Sequence, residues 1–370
     1  VCVVSGLFEI RLQCILFLIW KSNVEGESLE SRQNQQLLQL PKVELHRHLE
    51  GALRFSTLMS LAQEMGQQIP GDLAQQKQHF LVVEPMKDLR TVLRKFMATQ
   101  SVLRTEAVLT RITFEAIEDA AKEGIQILEL RYAPTFIRQN HEYLSFEQIH
   151  QAILHGMKKA SHLPVAVGLL CTFQRTLPVK ELTTVLDFVI DTKDTWIGVD
   201  LADNEQDFPA KDFAPLFSKA HKHGLPITIH AGEANTATAP KNVEDAIEIL
   251  GAQRIGHGLQ IIHDKNVLRK VADKKIPLEL CPTSNWLTNG IPTLQAHPFR
   301  QLMEAGVLTT INSDDPGIFD INLTNEYHLL SEQYQFTQKE FDLCNDIAAA
   351  ASFIPLAQKQ KYWSRKIIAL

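Results

Sequence analysis

Val43-Glu44-Leu45-His46-Arg47-His48-Leu49-Glu50-Gly51 reads as a short apolar strand that runs out into a polar rim. Side chains two apart on an extended backbone point the same way, so the imidazoles of His46 and His48 can reach one metal ion. The same His-x-His spacing recurs at His221-Lys222-His223. That copy closes the segment Leu216 to His223, which reads as helix, and residues two apart on a helix diverge. A solvated surface is expected there, so placement and not spacing carries the information.

Outward from this stretch, short apolar runs alternate with longer amphipathic segments, the pattern of repeated β-α units. The predicted strands are Val43–Leu45, Ile125–Leu130, Val165–Leu170, Trp196–Leu201, Pro226–Ile229, Arg254–Gly256, Ile276–Leu280 and Leu308–Ile311. Eight parallel strands separated by helices predict an α/β fold of the (β/α)8 TIM barrel type. Phe114 to Lys122 and Val243 to Leu250 read as helices, stopped by Gly124 and Gly251. The interval between His48 and Ile125 exceeds one crossover and predicts extra helices capping the C-terminal mouth. Within Met86 to Ser101, Leu89, Val92, Leu93 and Phe96 fall at i, i+3, i+4 and i+7. Core packing explains such a stripe; over the mouth it would wall a ligand.

Composition narrows the classes. The 370 residues are 45% hydrophobic and 22% charged, which suits a globular protein, and the net charge of -6 argues against nucleic acid or an acidic membrane as partner. Five scattered cysteines, at 2, 14, 171, 281 and 344, form no C-x-x-C pair and favour a reducing compartment, hence the cytoplasm. Residues 1–38 are expected to be an extension, disordered or upstream of the true start. Glu9 and Arg11 interrupt its apolar run, so a membrane anchor is the lesser reading. Residues 39–370, with no Pro- or Gly-rich linker, are expected to be a single barrel domain.

The residues that follow each strand form the rim where barrels of this kind carry catalytic groups. His46 and His48 end strand one. His230, before Ala231-Gly232-Glu233, ends strand five; His257, inside Gly256-His257-Gly258, ends strand six; Asp314 and Asp315 end strand eight. Singly, each histidine is more simply a hydrogen-bonded structural residue, and the aspartates before Pro316-Gly317 a turn or cap. Their joint position on one rim shifts that balance. Three imidazoles and one carboxylate suit zinc, with His46, His48, His230 and Asp314 as ligands and a water in the open position acidified to a pKa of about 7. A second metal would usually need a bridging group such as a modified lysine from strand four, and Gly198-Val199-Asp200-Leu201 offers none, so one zinc per chain is expected. Glu233, His257 and Asp315 remain for acid-base work.

In order along the chain, HRHLEG, HAGE, GHG, CPTSN and SDDPG resemble the adenosine deaminase family of the metal-dependent hydrolase superfamily, from about Leu40 to near Tyr362. The resemblance implies hydrolytic deamination at C6 of a 6-aminopurine nucleoside, a small-molecule partner in purine salvage. It assigns Glu233 to purine N1, His257 to orienting and deprotonating the nucleophilic water, Asp315 to N7, and Glu50 to the ribose 5′-hydroxyl, where relatives usually carry aspartate. Where relatives show Gly-Asp-Glu, with the glycine backbone donating to N3, this chain has Asp203-Asn204-Glu205. The leading expectation is adenosine and 2′-deoxyadenosine deamination. Asp203 and Glu50 motivate the alternative, a sister deaminase acting on adenine or a 5′-modified nucleoside. A catalytically silent nucleoside-binding relative and a two-metal hydrolase are further readings, opposed by the full ligand set and the missing lysine. No G-x-S-x-G motif competes, and Cys281-Pro282-Thr283-Ser284 does not supply the cysteine ligands of the other nucleobase deaminases.

Overall fold

A computed structural model of the chain describes residues 35–87 and 89–370, without the side chains of 89–91, 93 and 94. The chain divides into a unit of residues 1–40 and a unit of residues 41–370. In the first unit a short helix covers residues 35–39; most of the expected extension, residues 1–34, lies outside the described residues. Among the described residues no helix is long and apolar enough to cross a membrane.

The second unit is the expected (β/α)8 barrel. Its strands are β1 (Lys42–His48), β2 (Ile125–Tyr132), β3 (Ala166–Gln174), β4 (Gly198–Ala202), β5 (Thr228–Ala231), β6 (Arg254–His257), β7 (Leu278–Leu280) and β8 (Thr309–Ile311). They pair in parallel as two four-stranded sheets, β1 to β4 and β5 to β8. Parallel bridges Val199 to Ile227 and Arg47 to Asp314 join the two sheets on both sides. At the second seam His48 N–H donates to the Asp314 carbonyl and Asp314 N–H to that of His46, both at 2.9 Å. Ring closure therefore sets the end of β1 beside the residues that follow β8.

Three helices fill the long interval after β1: α1 (Phe55–Glu64), α2 (Leu73–Phe80) and α3 (Leu89–Gln100). Then α4 (Glu106–Lys122) leads into β2; Thr105 caps its first turn, accepting from Val108 N–H at 3.2 Å, and Gly124, at φ 76°, ends it. Its buried Leu109, Ile112, Ala116 and Ala120 recur at helical spacing and face inward. Short α5 (Pro134–Arg138) and longer α6 (Phe146–Lys159) precede β3, and α7 (Val179–Asp191), α8 (Ala214–Lys222), α9 (Ala239–Glu248) and α10 (Lys265–Asp273) separate β3 through β7. His221 and His223, at and just past the end of α8, are exposed as the helical reading required. After β7 come α11 (Pro282–Leu287) and α12 (Phe299–Glu304), and after β8 α13 (Leu323–Tyr334), α14 (Gln338–Ala351) and α15 (Leu356–Tyr362).

Val43, Leu45, Ile127 and Ala166 pack with Ala348, Ala349, Ile354 and Trp363 in one apolar core. The barrel interior is different. Arg131 of β2 donates to Asp200 of β4 at 3.0 Å and to Glu279 of β7 at 2.7 Å. Arg254 of β6 donates to the same Glu279 at 2.7 Å and to Glu129 of β2 at 2.6 Å. Arg131 with Asp200 and Glu279, and Arg254 with Glu129, join strands that do not pair, so these bonds cross the interior, while Arg254 to Glu279 links the neighbouring β6 and β7. An ionic ladder occupies the place where branched aliphatic layers are usual, with each guanidinium group bonded to two carboxylates.

Candidate active site

Four side-chain atoms converge at the barrel mouth. His46, His48, His230 and Asp314 offer ligand atoms all within 4.8 Å of one another. His46 Nε2 lies 3.2 Å and His48 Nε2 3.4 Å from Asp314 Oδ1, while the Nε2 atoms of His48 and His230 are 3.1 Å apart. Two of the rings are oriented from behind. His46 Nδ1 meets Glu279 Oε2 at 2.9 Å, and His230 Nδ1 meets Asp200 Oδ1 at 3.0 Å. A carboxylate behind Nδ1 accepts the Nδ1–H hydrogen bond, which keeps the proton on that nitrogen and leaves the Nε2 lone pair aimed at the centre, the arrangement metal-ligating histidines use.

The donor set fits a divalent metal. His46 Nε2 is fully buried and has no hydrogen-bond partner, a state that is costly unless a cation takes the lone pair. Ser284 Oγ donates to Asp314 Oδ2 at 2.7 Å, which leaves Oδ1 for the centre. Burial opposes ionisation of Asp314, but the surrounding histidines hold its carboxyl well below the usual range. Asp200 and Glu279 are likewise held low against burial, the first by His230 and Arg131, the second by Arg131 and Arg254.

Beside this centre lies a cavity of about 270 Å³, walled by Glu50, Val92, Phe96, Asp203, Glu233, His257, Asp315 and Phe319 among others. Helix α3 supplies Val92 and Phe96, which pack with Val82, Leu287, Ile318 and Phe319; the side chains of Leu89 and Leu93 lie outside the described residues. Glu233 is pushed up to about 8, by burial first and then by Asp314 and Glu205. Its loop is held by Glu205, which accepts from Gly232 N–H at 2.9 Å and from Glu233 and Ala234 N–H at 2.7 Å. Asp315 is raised well above the carboxylate range by burial and by Asp314 beside it, and its Oδ1 has no partner. Burial lowers the His257 pKa well below 6.5.

Glu50 Oε1 accepts from Ala133 N–H at 2.6 Å, Oε2 is buried without a partner, and burial raises the group to about 8. Asp203 touches the cavity, but its oxygens are committed. Oδ1 accepts from Asn204 N–H and Oδ2 from Thr176 Oγ1, each at 2.7 Å. Its φ of +87° is the left-handed geometry that favours glycine. Asp314 at +64° and His257 at +62° share that strain, which clusters at functional sites.

Reading the sequence alone missed the residues behind the site: Asp200, Glu279, Arg131, Glu205, Asn285 and His297. The signal for the first three was present as lone charges inside apolar strands, costly to bury without partners.

A sequence model of the family described as adenosine deaminase matches residues 41–368. The chain belongs to the adenosine deaminase family. Among family members, an adenosine deaminase of Shewanella halifaxensis is 34% identical over 326 residues, 87% of this chain and 97% of that one. The crystal structure of an adenine deaminase from Arthrobacter aurescens superposes with a TM-score of 0.79 at 25% identity, covering 86% of this chain and 96% of the other. The N6-methyl-AMP deaminase of Arabidopsis thaliana gives 0.76 at 27% identity, over 89% and 96%. Adenosine deaminase family membership and the barrel make this chain an enzyme of the hydrolytic deaminase type.

Proposed function

We propose that this chain converts adenosine and 2′-deoxyadenosine to the 6-oxo nucleosides and ammonia, in cytoplasmic purine salvage, with one zinc ion held by His46, His48, His230 and Asp314. The observation that carries the reading is the place of Glu233, a buried carboxyl whose pKa burial raises to about 8, on the same cavity wall as the four converging ligand atoms. When bound, a zinc in this set supplies a Lewis acid that yields hydroxide from water near neutral pH.

The chain's own groups do the rest. Glu233, still protonated at neutral pH, hands its proton to purine N1, which makes C6 electrophilic. Glu205 fixes the backbone that carries it. Asp315, whose carboxyl pKa is raised by burial and by Asp314, lines the same cavity and offers its carboxyl to N7. Val92, Phe96 and Phe319 cover the ring faces and exclude water. The Asp203 backbone N–H remains available to N3, because its carboxylate is turned to Thr176 and Asn204.

A second reading, an adenine or 5′-modified nucleoside substrate, is favoured by one observation. Glu50 reaches the cavity with an unpartnered Oε2 where an aspartate would stop a methylene short. With Asp203 committed elsewhere, only Glu50 supports it. Incubation of purified, zinc-loaded protein with adenosine, 2′-deoxyadenosine, adenine and 5′-substituted adenosines separates the two. Loss of the adenosine absorbance with the largest kcat/KM supports the first reading, and turnover of adenine alone overturns it.

A further inference from the structure

Behind His257 runs a chain of hydrogen bonds whose direction is set by a backbone amide. Phe299 N–H donates to His297 Nδ1 at 3.1 Å. A backbone N–H can only donate, so His297 Nδ1 is bare. His297 is 3% exposed and burial holds it neutral, with a pKa of about 3, so its single proton sits on Nε2. That Nε2–H lies 3.1 Å from Asn285 Oδ1. With Oδ1 accepting, the amide nitrogen of Asn285 faces the other way and donates to His257 Nδ1 at 3.1 Å. His257 Nδ1 is therefore bare in turn, and its proton sits on Nε2. That nitrogen faces the site, 3.7 Å from Glu233 Oε2 and 3.9 Å from Asp314 Oδ2.

We infer that Asn285 and His297 are positioning residues that hold His257 as its Nε2–H tautomer, so that His257 meets the oxygen nucleophile as a hydrogen-bond donor and not as a base. A base would need a bare Nε2, with the proton on Nδ1. The Asn285 amide would then have to flip, the His297 proton would have to move to Nδ1, and it would face the immovable Phe299 N–H. All three links are buried, with Asn285 at 0% and His257 at 1% exposure, so no solvent is available to repair a broken one. The inference departs from the deprotonating role that family resemblance implies for His257. It rests on the deaminase reading for its consequence, while the tautomer itself is independent of any substrate.

The test is a long-range proton–nitrogen correlation spectrum of the metal-loaded protein labelled with 15N-histidine, the His257 signals being identified by their loss in His257→Gln. Wild type is expected to show Nε2 protonated and Nδ1 bare. Asn285→Asp sets an obligate acceptor at Nδ1, draws the proton there, and lowers kcat roughly 100-fold, the scale of losing one aimed donor, with metal content and KM unchanged. His297→Gln still offers an amide donor to Asn285 Oδ1 and retains both tautomer and turnover; His297→Phe does not, and gives the same reading as Asn285→Asp should the latter fail to fold. A bare Nε2 in wild type, or a His257 pattern unchanged in both Asn285→Asp and His297→Phe, overturns the inference. Failure on the substrate panel would leave the tautomer result standing, so the two readings fail separately.

Discussion

Gly51 and Asp315 are pressed together so closely that the glycine has no room for a side chain: a Cβ there would lie 2.5 Å from Asp315 Cγ and closer still to Oδ1. The contact locks the loop after β1 to the loop after β8, and the Gly51 carbonyl accepts from Gly317 N–H at 2.8 Å. Gly51→Ala is expected to keep the fold and lower kcat about 100-fold, because Asp315 must move by a fraction of an ångström or more. Steady-state kinetics beside a melting curve check this; wild-type kcat with wild-type Tm would show that the position of Asp315 does not matter.

Glu233→Gln removes the proton to be given while conserving shape. Turnover is expected to fall by about 10²–10⁴, with zinc content unchanged. The pH dependence has a definite sign. Glu233 works protonated and its pKa is raised to about 8, so kcat/KM holds below that pH and falls as pH rises through it. A limb rising with pH across the same range would assign the group the opposite role.

Arg131 serves two ligands at once, since its partners Asp200 and Glu279 each hold a metal-site histidine. Arg131→Met leaves both carboxylates buried without it. The variant is expected to lose about 3–5 kcal/mol of stability and to bind zinc about 10–100-fold more weakly. Denaturant titration and chelator competition measure the two effects, and unchanged zinc affinity would confine Arg131 to stability.

His150 lies outside the barrel, bonded through Nδ1 to Tyr132 Oη at 2.7 Å and through Nε2 to Thr195 Oγ1 at 2.6 Å, and stacked on Trp196. Burial lowers its pKa from 6.5 to about 4. The unfolded chain therefore binds the extra proton first, so this contribution is complete above pH 6.5 and is lost as pH falls toward 4. It amounts to at most about 3 kcal/mol. His150→Gln should flatten the fall of Tm across that window; identical slopes in both proteins would exclude His150 as a source.

How far the sequence could be read depended on whether a residue's role needed the ring to close. His46 and His48 follow from the period of a strand, and the strand ends follow from β-α alternation, because both are local. The exposed copy at His221 and His223 was separable for the same reason. Arg131 and Glu279 are 148 residues apart; a charge inside an apolar strand announces a partner but not which one. His297 is in a loop, and its importance depends on the Phe299 N–H behind it and the Asn285 amide before it. Asp203 shows the opposite limit. Its carboxylate suggested repulsion from a purine, and only the bonds to Thr176 and Asn204 show where it points.

One zinc per chain is expected by elemental analysis of the loaded protein, and its removal by a chelator should abolish turnover and lower Tm, as for any ligand of the folded state alone. Added zinc should restore both. Two ions per chain would count against the single-metal site.

The ladder inside the barrel gives that ion a second significance. From Glu129 through Arg254, Glu279 and Arg131 to Asp200, with Asp314 reached from Glu279 across His46, four carboxylates and two guanidinium groups are enclosed with almost no contact with water. The enclosed group carries two negative charges in excess, and one divalent cation at the ladder's upper end brings it to electrical neutrality. A divalent metal held by His46, His48, His230 and Asp314 would thus be the last counter-ion of a folded interior as well as a reagent at its mouth.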